Sequence, residues 1–196
     1  MRSIRLRSLL ITPRVDSTYL RALPKILSVH SPTWIMYRSQ PKFLEAFLTI
    51  LRAKPPRQLL LNLPFCSLDE ILRTLESCHL DSLLDSRIGI HLKSPLRHLI
   101  APLRAHSKHS PIGYSAHSAQ EVEEALSLGA SYCTLSPIYP TPHKGAPLGI
   151  DYLSAISDSI RARIIALGGI TPRHLDELAA LNLLGFASIR YFLQSS

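Results

Sequence analysis

Three segments between residues 113 and 172 carry the side chains best suited to bind and process a small anion. Segment 113–118 contains Ser115 and His117, segment 136–146 contains Lys144, and segment 166–172 contains the pair Gly168 and Gly169. An imidazole exchanges protons near neutral pH, a lysine neutralises an anion, and glycines let the bare backbone approach a phosphate. Each segment lies where a predicted strand passes into a loop, so we predict that they form one site for a phosphorylated heterocycle.

Short apolar runs alternate with helical patterns along the chain. The runs predict eight strands, at 5–12, 34–37, 58–62, 88–92, 112–116, 132–136, 164–167 and 185–189. The patterns between them predict helices at 17–27, 41–53, 67–78, a short one after residue 94, and others at 119–128, 150–160 and 172–181. This alternation is typical of parallel β/α units. We predict an α/β fold, a compact TIM (β/α)8 barrel in a single domain over 1–196, with its final helix missing or vestigial.

The helix predicted at 119–128 has a distinct start. Ser118 can cap it, and Glu121 lies three residues further on, which completes a capping box. Because the active sites of such barrels form in the loops that follow the strands, His117 is expected within reach of a bound ring.

Composition excludes several other classes of protein. The chain has 196 residues, 46% of them hydrophobic, and its longest apolar runs are far shorter than the ~20 residues of a membrane span. Its three cysteines lack metal-site spacing, which favours reduced thiols and a cytoplasmic protein. The net charge is +8, but lysine and arginine are dispersed and no recognition motif accompanies them. We therefore expect neither a nucleic acid nor a membrane as partner.

The three segments resemble the thiamine phosphate synthase/TenI family. The resemblance rests on the Gly-x-Ser-x-His-Ser pattern at 113–118, the Pro- and Gly-rich pattern at 136–149 and Gly-Gly-Ile-Thr-Pro at 168–172, and it covers roughly residues 112–190. It implies a (β/α)8 barrel that binds thiazole phosphate. Members of the family are either synthases, which join a pyrimidine diphosphate to the thiazole phosphate, or TenI-type tautomerases, which aromatise a thiazole carboxylate.

The resemblance also implies roles for single residues. His117 matches the proposed acid/base of the tautomerases, although synthases resemble the motif too, and a structural histidine that bonds a neighbouring loop is the alternative. Lys144 lies where synthases place a lysine on the diphosphate, with a solvated loop lysine as the alternative. We include Thr141 of the same loop among the substrate-binding residues. Gly168 and Gly169 resemble the cradle for the thiazole phosphate.

The end of the eighth strand completes this phosphate site. The family commonly has an isoleucine and a serine here, whose backbone amides bind the phosphate, and this chain has Ile189 and Arg190. The guanidinium of Arg190 can add a two-pronged phosphate contact or pair with a surface carboxylate. Whether His143 and Lys93 contact the ligand stays open.

Upstream positions depart from the synthase pattern. The second strand keeps Arg38 but has Gln40 where synthases have lysine, and the third keeps Asn62 but is followed by Leu63 in place of an aspartate. A second aspartate is replaced by Leu96. Magnesium takes hard oxygen ligands, which two leucines cannot supply. We therefore predict no metal and no cofactor, with magnesium required only if the chain is a synthase.

These observations predict a metal-independent thiazole tautomerase, an isomerase. The glycine loops would hold the phosphate, Arg38 or Lys144 would pair with the carboxylate, Asn62 would bind substrate, and His117 would carry the ring proton. The alternatives are a thiamine phosphate synthase, which is a transferase, a catalytically inactive regulator that binds thiazole or thiamine phosphates, and an unrelated phosphate-binding barrel isomerase. The expected partner is a phosphorylated thiazole. A second copy of the chain, in a homodimer, is the simplest cover for the flank left by the missing helix.

Overall fold

The barrel consists of eight parallel strands that pair in chain order and close on themselves. The computed structural model describes residues 6–77 and 87–193. The strands are β1 (Arg7–Ile11), β2 (Trp34–Tyr37), β3 (Gln58–Leu61), β4 (Ile88–Leu92), β5 (Ile112–Ala116), β6 (Tyr132–Leu135), β7 (Ile164–Leu167) and β8 (Gly185–Ser188). The last strand pairs with the first, with Leu10 opposite Ser188. The predicted α/β barrel is therefore confirmed.

Helices follow the strands on the outside. They are α1 (Ser17–His30), α2 (Leu44–Ala53), α3 (Leu68–Ser77), α4 (Ile100–His106), α5 (Ala119–Ser127), α6 (Ile150–Ser154), α7 (Asp158–Arg161) and α8 (Leu175–Ala180). Single 3-10 segments precede α2, α4 and α8, at Pro41–Phe43, Ser94–Leu99 and Pro172–His174. None of the described helices is long and apolar enough to span a bilayer.

Alternation along each strand separates two apolar layers. Outward-facing side chains such as Leu10, Ile35 and Leu61 pack against the helices. Inward-facing ones fill the barrel, among them Leu9, Ile11, Trp34, Met36, Leu60, Tyr132, Ile165 and Ala187. Successive side chains of a strand point to opposite faces, so residue parity decides which layer each joins. The same parity turns selected polar side chains toward the barrel axis.

The strand predictions are nearly correct, and the differences lie at the ends. β2, β4, β5 and β7 have their predicted bounds, whereas β3, β6 and β8 are one residue shorter at the carboxyl end. The first predicted residue of β1, residue 5, lies outside the described part of the chain, as does the last predicted residue of α3, Cys78. Strong apolar runs in the interior of a barrel leave little choice of register.

The helix predicted at 150–160 is wrong, because the structure has two short helices there. Ser157 is extended, with ψ 146°, and separates α6 from α7. The guanidinium of Arg161 donates to the carbonyls of Ser154 at 2.9 Å and Ile156 at 3.1 Å. These bonds satisfy carbonyls that a helix end leaves without partners, so the interruption is stabilised by a side chain seven residues away from Ser154.

The start of α5 has the predicted cap at Ser118, but the second bond of the predicted capping box goes to a different N–H group. The hydroxyl of Ser118 accepts the backbone N–H of Glu121 at 3.2 Å. The carboxylate of Glu121 accepts the backbone N–H of His117, at 2.8 Å, instead of the N–H of Ser118. The cap therefore also anchors the backbone of His117 at the end of β5.

The last described element covers the flank between β8 and α1. It is a 3-10 turn, Arg190–Phe192. Phe192 is 2% exposed. Its ring lies 5.5 Å from that of His30, edge-on, and 6.3 Å from that of Phe186, in parallel. A local turn thus performs part of the covering role expected of a partner chain.

Replacing Phe192 by alanine should lower the free energy of unfolding by about 3–5 kcal/mol, because a buried aromatic ring is removed and a cavity remains. Denaturant unfolding followed by circular dichroism would measure it. The control is Val29→Ala on the exposed side of α1, where the side chain is 54% exposed and a change within about 0.5 kcal/mol is expected. Equal effects of the two substitutions would contradict the covering role of the turn.

Candidate active site

The predicted site residues all lie at one end of the barrel. Because every strand is parallel, the residues that follow the strands share the carboxyl rim. They comprise Arg38 after β2, Asn62 after β3, His117 after β5, Thr141 and Lys144 in the loop after β6, Gly168 and Gly169 after β7, and Ile189 and Arg190 after β8. Lys93 follows β4, and His143 belongs to the loop after β6.

The glycine pair is tightly enclosed by the loop after β6. Gly168 and Gly169 have φ of 100° and 67°, in the region that favours glycine. A β-carbon on Gly169 would lie 2.6 Å from the carbonyl oxygen of Pro140. The N–H of Tyr139 donates to the carbonyl of Gly168 at 3.1 Å, which joins the two loops. Only glycine fits this conformation and this spacing.

Four backbone N–H groups near the ends of β7 and β8 have no acceptor among the described residues. Among the hydrogen bonds of residues 6–77 and 87–193, none is donated by the N–H of Gly168, Gly169, Ile189 or Arg190. Backbone N–H groups are normally paired or solvated, and a phosphate is a suitable acceptor for several at once. This end of the barrel therefore offers a set of donors for an anion.

An aromatic stack stabilises the enclosing loop. The ring of Tyr139 lies parallel to that of His174 at 3.8 Å, and the Tyr139 hydroxyl donates to the carboxylate of Glu177 at 2.6 Å. Both partners belong to the segment that follows the glycine pair. The backbone N–H of Thr171 donates to Nδ1 of His174 at 3.2 Å, so this N–H is not available to a ligand. The predicted helix from Pro172 thus begins with a 3-10 turn, built around this contact.

The charged residues of the rim are exposed. Arg38, Lys93, Lys144 and Arg190 all face solvent, as does His143, which has φ of 61°. The ion pairs found in the described part of the chain, Arg97 with Glu124 and Arg161 with Asp158, involve none of them. The alternative of a surface carboxylate partner for Arg190 therefore lacks support. Thr141 is half-buried, and its hydroxyl donates to the carbonyl of Tyr139 at 2.9 Å.

His117 is held from two sides, and no group in the described part of the chain bonds its second ring nitrogen. Its Nδ1 lies 2.9 Å from the carbonyl oxygen of Ser136. A carbonyl only accepts, so Nδ1 carries the proton of the neutral ring and Nε2 keeps its lone pair. The bond to Ser136 is the loop contact expected of a structural histidine, while the free Nε2 is the proton acceptor expected of an acid/base. Both interpretations fit this geometry.

Asn62 has a structural bond that the sequence did not indicate. It is 4% exposed, and its amide donates to the backbone carbonyl of His91 at 2.6 Å. The side chain therefore joins the ends of β3 and β4. Its second amide N–H and its amide oxygen have no partner among residues 6–77 and 87–193, so they can bind a ligand.

His91 is a site residue that the sequence reasoning missed. It lies in β4, points into the barrel and is 3% exposed. Burial, together with the positive charge of Arg38, lowers the pKa of His91 to about 3, so the ring is neutral at physiological pH. The signal in the sequence was a single histidine inside the apolar run 88–92. Its partners, on β5 and β6, follow only from the strand register.

The rim does not fit the magnesium diphosphate site of a synthase. Leu63 is 2% exposed within the outer apolar layer, and Leu96 packs against that layer. Neither position offers an oxygen ligand. In the part of the chain that the structure describes, no group of three or more histidine, cysteine or acidic residues is arranged to hold a metal ion.

One of the two cysteines that the structure describes is a poor candidate for chemistry. Cys133 is buried in β6, and burial raises the pKa of its thiol to about 12. Cys66 is exposed, and neither forms a disulfide. The residues that can act on a ligand are thus the imidazole, the cations and the free amides.

The structure is a parallel (β/α)8 barrel whose carboxyl rim carries backbone donors that are unpaired within the described part of the chain. Residues 81–192, more than half of the chain, match the family described as thiamine monophosphate synthase. The chain therefore belongs to the thiamine phosphate synthase/TenI family. This match does not separate synthases from TenI-type proteins.

Two curated relatives illustrate the similarity. A thiamine-phosphate synthase of Lactococcus lactis subsp. cremoris is 40% identical over 81 residues, which are 40% of this chain and 37% of that protein. A thiamine-phosphate synthase of Clostridium botulinum is 33% identical over 108 residues, 54% of this chain and 53% of that protein. The chain thus aligns with about half or less of the length of these relatives.

The fold is similar to that of solved structures over nearly its whole length. A thiamine phosphate pyrophosphorylase from Pyrococcus furiosus superposes with a TM-score of 0.68 at 19% identity, covering 94% of this chain and 85% of that one. A structure of FabK from Thermotoga maritima superposes with a TM-score of 0.63 at 15% identity, covering 97% of this chain and 63% of that one. At such identities the likeness concerns the fold alone.

Gly169→Ala should weaken binding of thiazole phosphate at least tenfold and lower the melting temperature. The new β-carbon would collide with Pro140 and Tyr139 and requires φ of 67°. Isothermal titration and thermal unfolding would measure the two effects. Gly145→Ala is the matched control, because nothing lies within 4 Å of the added carbon. Unchanged affinity of a folded Gly169 variant would remove the glycine loop from the site.

Proposed function

We propose that this chain binds a phosphorylated thiazole at the carboxyl rim of the barrel, with the phosphate between the ends of β7 and β8. The observation that carries the proposal is the set of acceptor-free N–H groups at Gly168, Gly169, Ile189 and Arg190. The guanidinium of Arg190, exposed on the same loop, supplies the charge that complements a phosphate. His117 then lies at the end of β5, on the same rim.

Thiamine phosphate synthesis is the first candidate for the reaction. It is supported by the names of the curated relatives, which are called thiamine-phosphate synthases. In this reaction the bond between the diphosphate oxygen and the carbon that carries it on the pyrimidine substrate breaks, and diphosphate leaves. The same carbon then forms a bond to the thiazole nitrogen. Because Leu63 and Leu96 provide no metal ligands, the rim cations Arg38, Lys93 and Lys144 would have to neutralise the diphosphate.

Tautomerisation of a thiazole carboxylate phosphate is the second candidate. The specific observation in its favour is the combination of two leucines at the acidic positions with a histidine whose Nε2 is free. Moving a ring proton requires a proton carrier and a cation for the carboxylate, and it requires no metal. His117 and Arg38 or Lys144 fill those roles.

Both reactions can be assayed on the same preparation, with and without a chelator. We expect thiamine phosphate to form from thiazole phosphate and pyrimidine diphosphate, and its formation to persist after chelation, because Leu63 and Leu96 stand where synthases carry the carboxylates that hold magnesium. Formation that stops on chelation would contradict binding of the diphosphate by cations. Ring-proton exchange in thiazole carboxylate phosphate without any thiamine phosphate would assign the tautomerase. Binding of thiazole phosphate without either reaction would assign the regulator.

His117→Gln separates the two interpretations of this histidine. If Nε2 carries the proton in tautomerisation, ring-proton exchange should fall by roughly 10²–10⁴-fold while affinity for the thiazole phosphate stays within about twofold. Exchange followed by NMR and titration calorimetry would measure the two quantities. Joint loss of affinity and melting temperature, with exchange per bound ligand unchanged, would leave His117 as the contact to Ser136 only.

A further inference from the structure

The interior of the barrel contains a hydrogen-bonded group of four polar side chains centred on His91. Its Nδ1 lies 2.9 Å from the hydroxyl of Tyr132, and its Nε2 lies 2.9 Å from the hydroxyl of Ser115 and 3.5 Å from that of Thr134. His91, Tyr132 and Thr134 are buried, and only Ser115 is partly exposed. The group therefore connects the core of the barrel with its carboxyl rim.

The mid-strand residue Gly113 makes this contact sterically possible. A β-carbon at Gly113 would lie 2.3 Å from the hydroxyl oxygen of Tyr132 and 2.5 Å from Nδ1 of His91. The Tyr132 hydroxyl and the His91 ring thus fill the space that a side chain at position 113 would need. Trp34 packs edge-on against the ring of Tyr132 at 5.3 Å and limits its movement.

The direction of the hydrogen bonds follows from the buried phenol. Burial raises the pKa of Tyr132, so the hydroxyl keeps its proton. In the described part of the chain, this hydroxyl has no hydrogen-bond partner other than Nδ1 of His91. An unpaired buried O–H is costly, so Tyr132 donates to Nδ1. The neutral ring then carries its proton on Nε2, which donates to Ser115.

Ser115 is left with a free proton near the rim. Its oxygen accepts from Nε2 of His91, and its own O–H donates to no protein group among the described residues. It belongs to β5 and lies two positions before His117, so both side chains leave the strand on the same face. A donor chain that runs from Tyr132 through His91 also strengthens the last donor, because successive hydrogen bonds polarise one another.

We propose that His91 is a positioning residue that orients Ser115 as a hydrogen-bond donor toward an oxygen of the bound ligand, and that Tyr132 selects the required tautomer. This rests on the proposed function in one respect, the presence of a phosphorylated ligand at the rim. The direction of the hydrogen bonds does not depend on any ligand. His91 itself exchanges no proton with the ligand, since it is neutral and enclosed.

The first test measures the tautomer in the ligand-free protein. Nitrogen-15 NMR of labelled histidines, assigned with His91→Gln, should show the Nε2–H form of His91 in the wild type. In Tyr132→Phe, which removes the donor to Nδ1, the same ring should shift toward a mixture of both tautomers. An Nδ1–H form in the wild type would overturn the proposal.

The second test measures whether Tyr132 acts through Ser115. Ser115→Ala should weaken binding of thiazole carboxylate phosphate, whose carboxylate offers an oxygen away from the phosphate, about tenfold, and Tyr132→Phe about threefold. In the Ser115→Ala background, Tyr132→Phe should cause no further loss of affinity, because the series of hydrogen bonds from Tyr132 to the ligand is already interrupted at residue 115. Tyr19→Phe is the control for deletion of a buried tyrosine hydroxyl in the outer layer, and it should leave affinity unchanged. Additive losses in the double variant would overturn the proposal.

A conservative replacement distinguishes positioning from packing. His91→Gln keeps an N–H group near the position of Nε2, whereas His91→Leu fills space without a donor. We expect the glutamine variant to bind thiazole carboxylate phosphate at least fivefold more tightly than the leucine variant, at matched fractions of folded protein. Equal affinities would reduce His91 to a packing role. If the wild type binds no phosphorylated probe, the proposed function fails, and the NMR measurement alone decides the hydrogen-bond direction.

Discussion

Closure of eight parallel strands is the constraint on which everything else in this protein depends. Parallel pairing places every strand end on one rim, and the alternation of side chains then decides which residues face the axis. Arg38, Asn62 and His117 are separated by more than twenty residues from one another, yet each follows a strand and reaches the same surface. Without closure, an anion cradle, an imidazole and a cation would have no shared location.

The sequence predicted the barrel well because its strands are nearly pure apolar runs. Four of the eight strands have the predicted bounds, since both faces of a parallel barrel strand are buried and apolar residues therefore extend to its ends. The glycine pair was also recognisable, because few residues other than glycine adopt the positive φ of a tight turn directly after a strand. These features depend on neighbours in the chain, which a sequence displays directly.

The features that were missed depend on contacts between distant segments. The break between α6 and α7 relies on the guanidinium of Arg161 folding back onto carbonyls, which no local pattern reveals. The bonds from His91 to Ser115 and Tyr132 join residues 24 and 41 positions away. They arise only when β4, β5 and β6 pair in one register. A polar residue inside an apolar run thus indicates that a hydrogen-bond partner must exist, but it does not identify that partner.

The two halves of the candidate site differ in how they recognise a ligand, and this bears on the reaction. The proposed phosphate end offers backbone N–H groups, which replacement of side chains leaves in place, and position 190 is an arginine where the family commonly has serine. A diphosphate end relies on side-chain charge, and there the carboxylates of synthases have become leucines. Thiazole phosphate binding can therefore persist while the second substrate, or the need for it, changes. Under the proposal, the backbone at β7 and β8 accounts for binding of the phosphate, and the reaction depends on side chains of the rim such as His117 and Arg38.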